Sequence, residues 1–337
     1  MNKQLVRKQG WMALILVAGL AACNTPDPEL IDTTFPDRIA FTANRQYPEG
    51  IAYAPTLDKF LVSSLTQGKI GTVDRNGVYT DLINTDTQLI AAVGMKVRNG
   101  LLYVCNGDLG VSDKSTATSA MKTAGLFVYD LSTGQNVRRV NLATLLPTAN
   151  HYANDIAFDS QGNAFVTDSF APVIYRIPAD ANQSASILVR KDSLFSGQNF
   201  NLNGIVYHPS NFLIVGKANE GKLFKVDLTN PSSNTAVVPI TLSAPLAGCD
   251  GMLLYNNELY VVHERTKMAR VTSSDGWKTA TVVRIDASGY EDATTNTEVN
   301  GSIYALNARI SEVSAAATAK NPSSLTASAY SIKKFQP

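Results

Sequence analysis

The sequence predicts an all-β protein built as a six-bladed β-propeller. Three observations carry that expectation. A phrase of small turn, apolar strand, polar turn and further strands recurs along most of the chain. Each strand segment is short, rich in β-branched and aromatic residues, and bounded by turn residues. No stretch keeps a helical period over a useful length. Repeats of roughly 40–60 residues, each offering three or four antiparallel strands, are the mark of propeller blades.

The copies run in order. The first reads Pro48-Glu49-Gly50-Ile51-Ala52-Tyr53, then 59–64, then 69–74. The second has strands at 94–97, 101–104 and 125–130. The third opens on Asn154-Asp155-Ile156-Ala157-Phe158, continues at 164–168 and ends at 173–177. The fourth opens on Asn203-Gly204-Ile205, with strands at 212–215 and 222–227. The fifth opens on Asp250-Gly251-Met252, with strands at 258–262 and 268–271. A weaker sixth runs through Thr297-Glu298-Val299, 302–306 and a terminal 329–332. Six copies argue for six blades around a central channel. Arg38 to Thr42 precedes the first copy and is expected to add the outer strand of the last blade, closing the ring.

Before the repeats lies a different kind of segment. Lys3, Arg7 and Lys8 make a basic start, and Trp11 to Ala22 is an apolar run. A membrane helix needs about 20 such residues, so this run is too short to span and right for a signal sequence. Leu20-Ala21-Ala22-Cys23 resembles the lipobox of bacterial lipoproteins, in which the cysteine receives a diacylglycerol. The resulting division is 1–22 signal peptide, 23–37 polar, proline-bearing tether, and 38–337 propeller. Removal of the signal leaves about 315 residues, within reach of a single all-β domain. Asn24 after the lipid-bearing Cys23 points to a cell-envelope protein of the outer membrane by resemblance to lipoprotein sorting signals. The membrane is met through the lipid alone, since no second long apolar stretch exists.

The formal net charge of +1 supplies no basic field for nucleic acid. Cys105 falls on the second blade and Cys249 on the fifth, across the channel from one another. Disulfide geometry needs Cα atoms within roughly 7 Å, so two reduced thiols are expected.

Residues that open the innermost strands converge near one mouth of the channel. Glu49, Asn154, Asn203 and Asp250 stand at such positions. They offer two carboxylates and two amide carbonyls, all hard oxygen donors, which suits a divalent cation and Ca²⁺ foremost. Soft-ligand spacings such as Cys-x-x-Cys are absent. Gly216 to Lys222 mimics a phosphate loop, but Leu223 replaces the required hydroxyl residue and the segment joins two strands. No Gly-x-Ser-x-Gly elbow exists. His151 is expected to be a solvated or hydrogen-bonded loop residue, and Asp168 to serve a turn. Of the two long loops, 106–123 is expected to cover the mouth as a lid. The Ala/Ser/Thr-rich 311–328 is expected to be disordered.

The phrases at 48–51, 154–159, 202–205 and 249–252 resemble the SMP-30/gluconolactonase family, in order and one per blade. That resemblance implies a six-bladed propeller holding a divalent metal through Glu49, Asn154, Asn203 and Asp250. It also implies a hydrolase in which the metal polarises a lactone carbonyl and Asp250 assists the attacking water as base. Sugar-lactonase members usually carry Arg two residues before the first Asn, where this chain has Tyr152, and Pro where it has Ile51. Tyr cannot supply the forked positive charge of Arg. The expected partner is a small lactone or sugar-like molecule. The alternatives are a non-catalytic ligand- or protein-binding propeller, and an enzyme like strictosidine synthase that uses a catalytic Glu without metal.

Overall fold

The computed structural model describes residues 35–337. The lipobox, Cys23 and most of the tether lie outside the described residues. No described helix is long and apolar enough to cross a membrane.

The strands form antiparallel meanders, each built from consecutive strands as the repeats require. Ile51–Ala54, Lys59–Val62, Ile70–Val73 and Tyr79–Ile83 make one sheet. Ala91–Arg98, Leu101–Gly107, Gly125–Asp130 and Asn136–Asn141 make the next. His151–Phe158, Ala164–Asp168, Val173–Ile177 and Ser186–Arg190 follow, with Lys122–Thr123 added in parallel to His151–Tyr152. Leu202–His208, Phe212–Lys217, Lys222–Asp227 and Val237–Leu242 form a meander of their own. It joins the meander Met252–Tyr255, Glu258–His263, Lys267–Thr272, Thr279–Asp286 through only the parallel pairs Thr241–Thr279 and Leu242–Ala280. The last sheet holds Ala293–Val299, Ser302–Asn307, Ala329–Lys334 and, on its outer edge, Arg38–Thr42. Arg38 pairs with Lys333 and Thr42 with Ala329, so the first described strand closes the ring as expected.

The innermost strands pack in succession. Ile51–Ala54 lies on Ala91–Arg98, that on His151–Phe158, then Leu202–His208, Met252–Tyr255, Ala293–Val299 and back to Ile51–Ala54. The fold is an all-β propeller. Glycine at the start of several inner strands is a consequence of this close approach. A Cβ on Gly50 would stand 2.2 Å from the Val93 carbonyl oxygen, and one on Gly94 2.2 Å from that of Asn154. Gly204 and Gly251 meet the Asp250 carbonyl oxygen and Thr295 Cα in the same way, at 2.3 and 2.6 Å. β-Bulges fall at the same place, between Ala92 and Met95, Ala153 and Ile156, Leu202 and Ile205, and Ala293 and Asn296. A bulge frees residues from the ladder and re-aims their side chains.

Apolar cores fill the spaces between successive sheets. One sets Ala52, Leu61 and Ile70 against Met95, Leu102, Val104 and Phe127. Another sets Phe165 and Ile174 against Ile205, Leu213 and Phe224. Cys105 and Cys249 are buried as free thiols in different cores, as the ring geometry required.

Two loops depart from expectation. Residues 311–328 are ordered: Ile310–Ala319 is an α-helix, followed by a short 3₁₀ turn at Pro322–Ser324. Alanine is the best helix former, and Val313 and Ala316 supply just enough apolar face to bury against the core. Tyr47 anchors the helix: its hydroxyl donates to Glu312 Oε2 at 2.6 Å and accepts from the Ala327 amide at 3.0 Å. The loop after Asn106 is pinned rather than free to swing. Asp108 accepts from the Gly110 amide and from the Ser115 and Ser119 hydroxyls at 2.5–2.7 Å. Lys114 Nζ donates to the carbonyls of Gly68, Asp86 and Leu89. The segment is a fixed wall, not a lid.

Candidate functional site

Glu49, Asn154, Asn203 and Asp250 line one cavity of about 330 Å³. They arrive there by two local devices. Asn154 and Asn203 occupy the bulges of their inner strands, and Glu49 and Asp250 immediately precede the glycines that lead into theirs. Glu49, Asn154 and Asn203 are buried, and Asp250 is half-buried.

Backbone and hydroxyl contacts fix this floor. The amides of Glu49 and Gly50 both donate to Ser63 Oγ, at 3.0 and 2.7 Å. The Glu49 carbonyl accepts from Thr294 Oγ1 at 2.7 Å, tying the first inner strand to the last. Asn154 Nδ2 donates to Ser169 Oγ at 3.0 Å, and that hydroxyl donates to the Leu202 carbonyl at 2.7 Å. Thr167 Oγ1 donates to the Asn203 carbonyl at 2.6 Å.

Several side-chain oxygens of the floor are left over. Glu49 Oε2, Asn203 Oδ1 and Asp250 Oδ1 are buried and have no hydrogen-bond partner. An unsatisfied buried oxygen costs on the order of 1–3 kcal/mol, so three in one cavity call for a shared positive partner. Two carboxylates and two carboxamide oxygens fit a hard divalent cation such as Ca²⁺. Among the described residues no three His, Cys, Asp or Glu side chains are arranged to hold a metal ion by themselves, so the donor set depends on its two asparagines.

Electrostatics agree with the geometry. Burial, with the Asp250 and Asp155 carboxylates, pushes Glu49 well above the usual carboxylate range, and Lys96 opposes this. Burial lifts Asp250 to about 7; Arg265 pulls the other way and Asp155 adds to the rise. Asp155 is buried beside them, raised by burial and countered by Lys96, whose Nζ lies 3.7 Å away. Lys96 and Arg265 offset only part of this rise, since all three carboxyls stay above their ordinary values.

The walls have another character. Tyr152, Phe200, Ala218, Ala247, Gly248 and Ile310 line the rest of the cavity, together with Glu264, Arg265 and Ser314. Tyr152 is buried, which raises its hydroxyl far above the ordinary range. Arg265 donates to Ser311 Oγ at 2.7 Å and so links its hairpin to the helix Ile310–Ala319.

Sequence reading found the floor and missed these walls. Arg265 had a signal in the charged hairpin His263-Glu264-Arg265-Thr266-Lys267, which joins the second and third strands of its meander. The corresponding hairpins bring Ala218 and Phe170 to the same mouth. Ile310 and Ser314 had none beyond the alanine-rich composition around them.

His151 and Asp168 are not at the surface. His151 is buried, with Nδ1 2.7 Å from Asp168 Oδ2 and Nε2 2.9 Å from the Leu146 carbonyl. Asp168 Oδ1 accepts the amides of Tyr152, Phe170 and Ala171, so it does serve a turn, and its Oδ2 also takes the Tyr175 hydroxyl. This cluster stands directly behind Tyr152 and holds that wall.

No family model matches the sequence, and none of the curated proteins matches it. Solved structures do. The major allergen Mala s 1 of Malassezia sympodialis is similar with a TM-score of 0.68 at 19% identity, covering 90% of this chain and 97% of that one. A gluconolactonase of Xanthomonas campestris gives 0.56 at 14% identity, over 88% and 89%. Virginiamycin B lyase of Staphylococcus aureus gives 0.52 at 12%, over 80% and 95%. At such identities the likeness is one of fold. The chain is a propeller of gluconolactonase-like architecture, a class that also includes a lyase.

Proposed function

We propose that this protein is a divalent-metal-dependent, lactonase-like hydrolase on a six-bladed ring, held at the cell envelope by lipid on Cys23. What supports six blades is that the longest sheet is joined at mid-length by only two parallel pairs, Thr241–Thr279 and Leu242–Ala280. Each half is then a four-stranded meander like the others. The envelope placement rests on the basic, apolar and Leu-Ala-Ala-Cys order of residues 3–23.

The observation that carries the hydrolase reading is the set of partnerless buried oxygens on Glu49, Asn203 and Asp250, grouped with Asn154 around one cavity. Glu49, Asn154, Asn203 and Asp250 would hold the cation, Ca²⁺ first among candidates. When bound, the ion supplies Lewis acidity toward a carbonyl oxygen. Asp250, as a carboxylate on the same floor, would take the proton of a water attacking the carbonyl carbon. Asn203 stands beside Asp250 in the cavity and lowers its pKa, against the effect of burial. Tyr152 and Phe200 exclude bulk water from the floor.

A second reading has one observation in its favour. Tyr152 stands where sugar-lactonase relatives have a substrate-gripping Arg, and its burial gives a hydrophobic wall instead. A non-catalytic propeller that binds a ligand at the same cation would look the same. The deciding experiment is metal analysis of the purified protein, then a lactone panel with added Ca²⁺, Mg²⁺, Mn²⁺ or Zn²⁺, run beside Asp250→Asn. Metal-dependent hydrolysis abolished in the variant supports the hydrolase. Metal binding with no hydrolysis of any lactone supports the binding propeller.

A further inference from the structure

The cavity above Glu49 and Asp250 does not end at its mouth. A second, larger hollow of about 660 Å³ opens beside it, and the two share Phe200, Arg265 and Ser314 as walls. The outer hollow is bounded by Leu109, Met121, Phe170, Ala317 and Thr318, together with the 197–201 loop. Among its described lining residues Arg265 is the single charged side chain.

Three aromatic rings make the passage between the two spaces. Tyr152 and Phe200 have centroids 5.7 Å apart, Phe170 and Phe200 5.1 Å, and Tyr152 and Phe170 5.7 Å. Tyr152 and Phe200 face the inner cavity, while Phe170 and Phe200 face the outer one. The rings are fixed from behind, because Asp168 holds the amides of Tyr152 and Phe170 on one oxygen. Both hollows are therefore parts of one cleft. Its floor is oxygen-rich and its collar aromatic, and its outer end sets an apolar side of Leu109, Met121, Phe170 and Ala317 against a polar side that includes Asn150, Gln198, Asn199 and Asn201.

We propose that this cleft takes an amphiphile: a cyclic ester whose carbonyl sits at the Glu49–Asp250 floor and whose alkyl chain runs past Phe200 into the groove of Phe170, Met121 and Ala317. The proposal rests on the site reading above only for the carbonyl end. At the collar a polyhydroxylated sugar lactone would meet ring faces rather than partners for its hydroxyls, since Gln198, Asn199 and Asn201 line only the outer hollow. An alkyl chain gains from that collar in proportion to the apolar surface it hides from water.

Hydrolysis-resistant lactams separate binding from turnover. The probes are pyrrolidinone and its butyl and octyl derivatives, substituted at the ring carbon beside nitrogen, titrated by calorimetry into the Ca²⁺-loaded full-length protein. Affinity is expected to tighten about three- to fourfold per added methylene until the groove is filled. Thr318 and Met121 are both exposed at the groove's edge, so Thr318→Trp and Met121→Asp leave the core untouched. Either variant is expected to weaken the octyl probe about tenfold, the worth of one to two methylenes, and to leave pyrrolidinone unchanged. An octyl probe no tighter than pyrrolidinone overturns the proposal, as does full octyl affinity in both variants. Chain-length-dependent binding without hydrolysis of any lactone would sustain the groove and sink the hydrolase. Hydrolysis indifferent to chain length, with no gain for the octyl lactam, would do the reverse.

Discussion

His151 and Asp168 meet inside the protein, Nδ1 to Oδ2 at 2.7 Å, with both side chains almost wholly removed from solvent. The other ring nitrogen of His151 faces the Leu146 carbonyl, which can only accept. An imidazole between two acceptors carries a proton on each nitrogen. This geometry favours a charged His151 against Asp168, whose oxygens also take three amides and the Tyr175 hydroxyl. Burial opposes the charge on His151, but the Asp168 hydrogen bond and charge, with the Leu146 carbonyl, hold its pKa above the ordinary value.

Breaking this pair is expected to be costly. Asp168→Ala leaves a buried cation and three amides unpaired, and is expected to destabilise the fold by about 3–5 kcal/mol in denaturant unfolding. The pair also has a pH signature. A His whose folded pKa is raised contributes stability that is complete below its unfolded value of about 6.5 and fades as pH rises through the folded value. Wild type should lose stability in that window, and His151→Gln should be flat there. A wild-type curve with no such slope would show that His151 is neutral.

Asp250 gives a second, separable limb. Its pKa is lifted to about 7 in the folded protein, against about 3.9 when unfolded. Between those values the folded state binds more protons, so metal-free protein should lose stability from about pH 4 to about pH 7 and then level off for this group. Asp250→Asn should remove this group's share of the slope and leave that of Glu49 and Asp155, whose carboxyls are also raised. Saturating Ca²⁺ should remove it as well, since the cation takes over the role of the proton.

Cation binding itself is expected to raise the melting temperature. At a hundredfold excess over its dissociation constant a ligand adds about 2.7 kcal/mol. Glu49→Gln and Asp250→Asn each delete one of the two floor charges and are expected to abolish most of this gain in a thermal-shift titration. A gain preserved in both would move the cation elsewhere.

The inner-strand glycines predict a sharp steric penalty. At Gly94 a new Cβ meets the backbone oxygen of Asn154 at 2.2 Å and the Cα of Asp155 at 3.0 Å, and neither atom can swing aside. Gly94→Ala is expected to destabilise by about 1–3 kcal/mol, the usual cost of overpacking, and to weaken cation binding through Asn154. Gly100→Ala is the control: no neighbour stands within 4 Å of its Cβ, although its positive φ adds some strain.

What could be read from the sequence follows from how each feature is encoded. The meanders were legible because strands and turns announce themselves locally, and the floor because Glu49, Asn154, Asn203 and Asp250 occupy the same place in successive phrases. The helix Ile310–Ala319 was not, since its buried face consists of Val313 and Ala316 amid alanine and serine, a composition shared with unstructured chain. The His151–Asp168 pair was not, because one residue opens a strand and the other closes the next; only their antiparallel pairing, with Ala153 opposite Asp168, brings them together. The aromatic passage was hidden for the same reason, its rings lying at 152, 170 and 200 with no shared motif.

The Thr294 hydroxyl on the Glu49 carbonyl spans 245 residues, and the Tyr330 hydroxyl on the Tyr47 amide spans 283. Glu49 therefore owes its setting to strands far apart along the chain: the first inner strand is tied to the last one, and the segment just before it to the strand Ala329–Lys334. The floor is finished only when the two ends of the described chain have met, so its cation affinity reports on closure of the ring.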